Sequence, residues 1–446
     1  MDTVAIVPAM LPGMSRDPVP SGSTALLTDH YELTMLQAAL ADGTGDRASV
    51  FELFGRRLPS GRRYGVVAGV QRALDAIEAF RFTDEQVDFL RSEQIVDDRT
   101  ADWLASYRFG GDVRGYPEGE IYFEHSPLLV VEGTFAEAVV LETVLLSIYN
   151  HDAAIASAAS RMTWAAGERP CIEMGSRRTH EEAAVAAARA AYVAGFASTS
   201  NLEARRRYGV PTGGTSAHSF TLLHDTERDA FVSQVESLGA GTTLLVDTYD
   251  IAEAVRTGVE VAGPGLGAVR IDSGDLADLA HRVRAQLDDL GAKDTRIIVT
   301  SDLDEWAIAG LASAPVDGYG VGTRLVTGSG KPTCGLVYKL VARADDAGTM
   351  VPVAKKSADK ASVGGRKTAH RRLDASGSAT AEVVTLDGSP SDGRDLVVPL
   401  VSAGEVVGRE SLDASRERHA RARAELPIIA RQLQPGDPVI PTEHPS

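Results

Sequence analysis

Between residues 170 and 324, short apolar runs end repeatedly in polar or glycine residues, and a helical stretch follows each time. Residues 171–174 lead into Gly175-Ser176-Arg177-Arg178, and 195–197 into Ser198-Thr199-Ser200-Asn201. Val210 leads into a glycine-rich loop, and 244–246 into Asp247-Thr248-Tyr249-Asp250. The last three are 269–271 into Asp272-Ser273-Gly274-Asp275, 297–299 into Thr300-Ser301-Asp302, and 318–321 into Gly322-Thr323-Arg324. Seven such signals, at the spacing of βα units, predict an irregular parallel (β/α) barrel. In such barrels the loops after the strands' carboxyl ends converge on one face, so these polar residues are expected to be neighbours.

The third loop, Gly209-Val210-Pro211-Thr212-Gly213-Gly214-Thr215-Ser216-Ala217-His218-Ser219-Phe220, carries the only imidazole of the series. Gly213 and Gly214 permit left-handed backbone or close approach of a ligand. Hydroxyls beside one imidazole can meet a phosphate, and the imidazole can accept one. Taken alone, the stretch reads more readily as a structural loop with a surface histidine.

Length, charge and cysteine content narrow the class. A chain of 446 residues exceeds what one core usually holds, so two domains are expected. A net charge of −17 argues against non-specific nucleic-acid binding, and an anionic substrate would need a locally basic pocket. Cys171 and Cys334 offer neither a disulfide framework nor a CxxC metal motif. No signal peptide and no membrane span are evident, so a cytoplasmic protein is expected.

Residues 1–22 read as a loose arm rich in Pro, Ser and Gly. A helix over 26–40, capped by Thr28 or Asp29, places Tyr31 near its start, as a site aromatic or as a core or interface tyrosine. A strand over 48–54 runs into Arg56, Arg57, Arg62 and Arg63, either a solvated face or an edge facing an anion. Helices are expected at about 66–80, 84–94 and 98–106, then β structure over 110–133. A long helical region over 135–166 follows, with a break near Asn150-His151. After Lys339 the chain turns β-rich, with a basic run over 355–372 and helical turns over 412–431. The expected organisation is an arm (1–22), an N-terminal α+β domain (23–134), the barrel (135–342), and a C-terminal segment (343–446) that packs back on the N-terminal domain.

The converging face would hold the carboxylates Asp247, Asp272, Asp275 and Asp302, the guanidiniums Arg177, Arg178, Arg270 and Arg324, and His218. Gly320-Val321-Gly322-Thr323 fits a phosphate cradle after a late strand, or simply a tight turn. Asp272-Ser273-Gly274-Asp275 fits a site or a helix cap. Arginines mixed with carboxylates suggest a polyphosphate ligand with a divalent metal such as Mg²⁺.

With these residues in view the chain resembles the nicotinate phosphoribosyltransferases. The matching stretches are Thr28-Asp29-His30-Tyr31-Glu32-Leu33-Thr34-Met35, residues 51–59, 175–178, Gly214-Thr215-Ser216-Ala217-His218-Ser219, 269–276, 320–323 and Val337-Tyr338-Lys339-Leu340. They run in family order from about residue 26 to 372. One departure is Gly364-Gly365-Arg366-Lys367, where the family usually has a Pro-Gly-x-Lys turn.

The resemblance implies an irregular α/β barrel with a domain made from both chain ends, and a homodimer with a shared active site. It implies transfer of the phosphoribosyl group from 5-phosphoribosyl 1-diphosphate to nicotinate, coupled to ATP hydrolysis and using Mg²⁺, as the entry step of nicotinate salvage to NAD. By family match Tyr31 stacks on the pyridine, from its own subunit or across the dimer, and Arg177 and Thr215 meet the nicotinate end. Arg270 and Thr323 hold the donor, with Asp302 and Gly322 beside its ribose or phosphates, and Asp272 or Asp302 balances the ribosyl cation. His218 matches the phosphorylated histidine and Asp247 the carboxylate that orients it; the metal ligands are not assigned. Nicotinamide-using relatives carry an Asp where Ser200 stands, which favours the acid over the amide. The alternatives are a nicotinamide phosphoribosyltransferase, a quinolinate enzyme on a shorter chain without the histidine, and a non-catalytic sensor of the donor.

Overall fold

The computed structural model describes residues 22–355, 363–386 and 393–444. Its axis is the helix Glu142–Ala166, apolar on nearly every side and packed between two hydrophobic cores. By composition the run Phe135–Ala166 is long and apolar enough to cross a membrane, but 72% of its apolar window is buried inside the protein, as in a core helix. Alanines 156, 158 and 159 face alanines 187, 190 and 191 of helix Glu181–Val193 in one cluster. Small side chains let two helices approach closely, and alanine favours the helix itself.

The break in this helical region falls at Val140–Leu141, between helices Phe135–Val139 and Glu142–Ala166, and not at Asn150-His151. A capping box between Thr134 and Glu137 starts the first helix. Asn150 stays helical because its side chain finds partners outside the helix: its carbonyl accepts from Thr333 Oγ1 at 2.8 Å and from the Leu336 amide at 2.9 Å.

Beyond this helix lies a six-stranded, all-parallel sheet curled into a half-barrel. Its order is Ser198–Thr199, Cys171–Glu173, Gly318–Val321, Arg296–Ser301, Ala268–Ile271, Thr243–Leu245. Five of the seven expected runs fall on these strands. Residues 195–197 are a turn that feeds strand Ser198–Thr199, and the Val210 stretch makes only one parallel bridge, Thr212 to Thr199. Pro211 explains the latter in part, since it has no N–H to give a ladder. The sheet therefore ends at Thr212 on one side and at Thr243–Leu245 on the other, and no pairing among the described residues joins these two edges.

The second unit is built on a seven-stranded sheet in which three early strands lie in the middle and late strands flank them on both sides. Ala48–Gly55 pairs antiparallel with both Leu129–Thr134 and Leu336–Ala344, and Val398–Ser402 pairs with Asp112–Gly115. Helices Val70–Glu78, Asp84–Ser92 and Asp98–Ala105 stand where the apolar spacing puts them. The N-terminal helix is His30–Asp42, starting four residues later than expected, after a 3₁₀ turn at Ala25–Leu27. Near the end of the chain, helix Leu412–Ala424 ties the two units together. Arg416 donates to the Gly195 and Phe196 carbonyls of the barrel, and Arg418 donates to the Glu118 carbonyl at 2.8 Å.

The arginines at 56–63 do not act as one group. Arg62 is buried in an ion pair with Glu305 at 3.2 Å and donates to the Gly328 carbonyl at 2.7 Å. Arg63 donates to the Asp437 carbonyl at 3.0 Å, while Arg56 and Arg57 border an open cavity. The part of the basic run at 356–362 lies outside the described residues.

Candidate active site

At the carboxyl ends of the half-barrel strands lies a polar cavity of about 290 Å³. Three cations, Arg177, Arg178 and Arg270, and two carboxylates, Asp272 and Asp302, line it with Gly322 and Thr323. A strongly acidic chain thus keeps a locally basic mouth. A larger cavity lies elsewhere, about 900 Å³ against the seven-stranded sheet, and gathers none of the candidate residues.

Each wall follows from local sequence. Gly320 is required by packing, since a Cβ there would sit 2.4 Å from Thr300 Cγ2 and 2.7 Å from Met174 Sδ. Thr300, on the neighbouring strand, donates its hydroxyl to Asp272 Oδ1 and aims that carboxylate. Asp275 is a cap: it accepts from the Asp278 amide and starts helix Leu276–Asp289. Arg270 donates to the Thr215 hydroxyl, while its buried Nε has no partner. Burial lowers the pKa of the Arg270 guanidinium, against the opposing pull of Asp272 and Asp247. A desolvated cation with unmet donors is suited to an incoming phosphate.

The histidine arm joins this cavity through Asp247. Asp247 Oδ2 accepts from the Asp272 amide at 2.9 Å and from Ser273 Oγ at 2.8 Å. Its Oδ1 is buried without a hydrogen-bond partner and lies 3.8 Å from His218 Nε2. His218 opens helix His218–Leu223, and its Nδ1 is 3.2 Å from Thr248 Oγ1. Gly213 and Gly214 adopt no left-handed φ, and a Cβ at either would meet nothing within 4 Å, so the loop before His218 is open rather than tight.

Thr215 and Ser200 lie next to the cavity rather than in its wall. Thr215 is held by Arg270, and the Ser200 amide donates to the Glu173 carbonyl at 2.8 Å. Tyr31 is not among the lining residues. It stands half-exposed at the start of helix His30–Asp42, and burial together with Glu142 and Glu32 raises its phenol pKa. Thr248, Ser273 and Thr300 stand in the converging loops named above and support the site without having been given a role there, whereas Glu173 gives no signal in sequence beyond its place at a strand end.

A half-barrel with a polar mouth, joined to a second unit made from both chain ends, is the two-domain α/β architecture of known pyridine phosphoribosyltransferases. Human nicotinic acid phosphoribosyltransferase superposes with a TM-score of 0.80 at 26% identity, over 92% of this chain and 96% of that one. A nicotinate-nucleotide pyrophosphorylase from Pyrococcus furiosus shares the fold, with a TM-score of 0.74 at 22% identity over 94% and 98%. In sequence, nicotinate phosphoribosyltransferase pncB1 of Mycobacterium tuberculosis is 57% identical over 94% of each chain. The Bacillus subtilis nicotinate phosphoribosyltransferase is 38% identical over 79% of this chain and 74% of its own. The family model for the nicotinate phosphoribosyltransferase (NAPRTase) N-terminal domain matches residues 26–150. The chain belongs to the nicotinate phosphoribosyltransferase family.

Proposed function

We propose that this protein transfers the phosphoribosyl group of 5-phosphoribosyl 1-diphosphate to nicotinate, coupled to ATP hydrolysis through a phosphohistidine at His218, as the first step of nicotinate salvage to NAD. The observation that carries this reading is the unbroken run of contacts from His218 through Asp247 and the Asp272 amide to the cavity bordered by Arg270 and Thr323.

Arg270, Thr323 and Gly322 take the donor's phosphates, and Asp302 lies beside its ribose. Breaking C1–O leaves a cation-like ribose, which Asp272 or Asp302 balances, while the diphosphate departs toward the arginines. The pyridine nitrogen carries no proton at neutral pH, so it attacks C1 without a general base, and positioning is the main task. Arg177 and Thr215 hold the nicotinate carboxylate. Ser200 places no negative charge beside it, which favours the acid over nicotinamide.

The orphaned Asp247 Oδ1 near Nε2 favours a proton on that nitrogen and leaves Nδ1 bare, beside the Thr248 hydroxyl. Nδ1 then attacks the terminal phosphorus of ATP, and the P–O bond to ADP breaks. The phosphoryl group adds charge beside the donor site, and its later hydrolysis links ATP to turnover.

Mg²⁺ takes one or two carboxylates together with phosphate oxygens, and Asp272 and Asp302 fit that donor set. Bound there, it would neutralise the leaving diphosphate. Tyr31 lies outside the cavity lining and a second copy would supply it to the pyridine, so a homodimer with shared sites belongs to the same proposal.

The test is mononucleotide formation from nicotinate or nicotinamide and the donor, with and without ATP. Nicotinate is expected to be used and ATP to stimulate. His218→Ala should keep slow basal transfer and lose the stimulation. Equal stimulation of variant and parent would remove the phosphohistidine, and preference for the amide would remove the nicotinate assignment.

A further inference from the structure

Glu173 ends strand Cys171–Glu173 and is fully buried. Its two oxygens serve two different segments. Oε1 accepts from the Gly175 amide, in the loop that carries Arg177, and Oε2 accepts from the Thr199 hydroxyl, beside Ser200. The Thr199 oxygen accepts in turn from the Asn201 amide at 2.9 Å, and Asn201 Nδ2 donates to Ser176 Oγ at 3.0 Å. The contacts close into a ring that spans both loops. Gly175 brings the ring against the phosphate side, since a Cβ there would sit 2.3 Å from Val326 Cγ1 and 3.0 Å from the Gly322 carbonyl.

Burial raises the Glu173 carboxyl pKa, and the Thr199 and Gly175 donors oppose that rise. A buried carboxyl is an expensive way to fill space, and an apolar side chain would fill it at less cost. A carboxyl does provide two acceptors held at a fixed separation. Glutamine keeps the shape but offers one acceptor oxygen, so with that oxygen on the Gly175 amide the Thr199 hydroxyl loses its acceptor and must turn to accept from the new amide N–H beside Asn201.

We propose that Glu173 is a positioning residue that sets the distance between Arg177 and Ser200 and thereby tunes affinity for the pyridine carboxylate. The inference rests on the reading that these two residues meet nicotinate. Glu173→Gln and Thr199→Val are each expected to raise KM for nicotinate at least tenfold, about 1.4 kcal/mol of binding. KM for the donor and kcat should stay within about twofold, and discrimination against nicotinamide should narrow. Thr199→Ser keeps the hydroxyl and should restore parent values, and the double variant Glu173→Gln/Thr199→Val should be no worse than the worse single one. Equal rises in both KM values, or a Thr199→Val enzyme with the parent's KM for nicotinate, would overturn the proposal. If Glu173→Gln does not fold, the two Thr199 variants decide. A parent enzyme that does not use nicotinate would defeat the functional reading, whereas an active parent with unaffected variants defeats only this inference.

Discussion

Replacing Arg270 with methionine should separate two properties that usually fall together, stability and ligand binding. Of the guanidinium's five donors, one is engaged with Thr215, and the buried Nε has no partner. A phosphate held by two of the remaining donors would gain two charge-assisted hydrogen bonds, each about 1.5–3 kcal/mol. The lower end gives about 3 kcal/mol, roughly a 150-fold rise in KM for 5-phosphoribosyl 1-diphosphate on losing them. Stability should move the other way. Desolvation lowers the Arg270 pKa despite two neighbouring carboxylates, so the folded protein holds this cation less well than water does. Methionine covers similar apolar surface and carries no charge. Asp272 keeps Thr300 as partner, and Asp247 keeps Ser273 and the Asp272 amide. Without donor, the Arg270→Met melting midpoint should therefore equal or exceed the parent's. A donor concentration of 100 Kd stabilises the parent by about 2.7 kcal/mol, and the same concentration should barely move the variant. Thermal melts with and without donor, together with steady-state KM, read both effects. A variant that melts several degrees lower without donor and keeps its donor KM within threefold would refute the reasoning.

Two further predictions concern packing and protonation. Gly320→Ala forces a methyl onto Thr300, which aims Asp272, so overpacking of about 1–3 kcal/mol should accompany a larger fractional loss of kcat/KM; parent-like urea unfolding and kinetics would contradict this. Burial pushes the Glu32 carboxyl from its ordinary 4.5 up to about 7, against donors from Thr143 and Thr28. Its protonated form is thus favoured in the folded state, so this stabilisation is complete below about pH 4.5 and is lost as pH rises through 7, with an upper bound of roughly 3 kcal/mol. Urea midpoints between pH 4.5 and 8 should fall in the parent and flatten in Glu32→Gln; identical slopes would exclude Glu32 as the group.

The barrel was legible because its signal is local. Each buried parallel strand is a short apolar run, and the residues that follow must be polar because they face the mouth. The Val210 stretch looked like the others but pairs only through Thr212, since proximity to a neighbouring strand is a tertiary property. Arg62 is a sharper case. In sequence it belongs to a basic run that reads as surface, yet its partner Glu305 lies 243 residues away. Glu173 escaped notice for the same reason, because its meaning lies in Thr199 and Gly175 meeting it from two loops. Tyr31 shows the converse, since motif order names a residue that is not among those lining the cavity.

The unpaired margin between Thr212 and strand Thr243–Leu245 has a mechanical consequence. Past Gly213, whose amide donates to the Thr199 carbonyl at 3.1 Å, the backbone bonds only to its own local turns and helices until Ala240, whose carbonyl accepts from the Gly267 amide at 2.9 Å. The imidazole stands on that unlaced margin, with only side-chain contacts to Thr248 and Asp247 holding it. The phosphoryl transfer proposed for His218 would load a segment that no ladder holds, tied to the arginine wall through the Arg270–Thr215 contact.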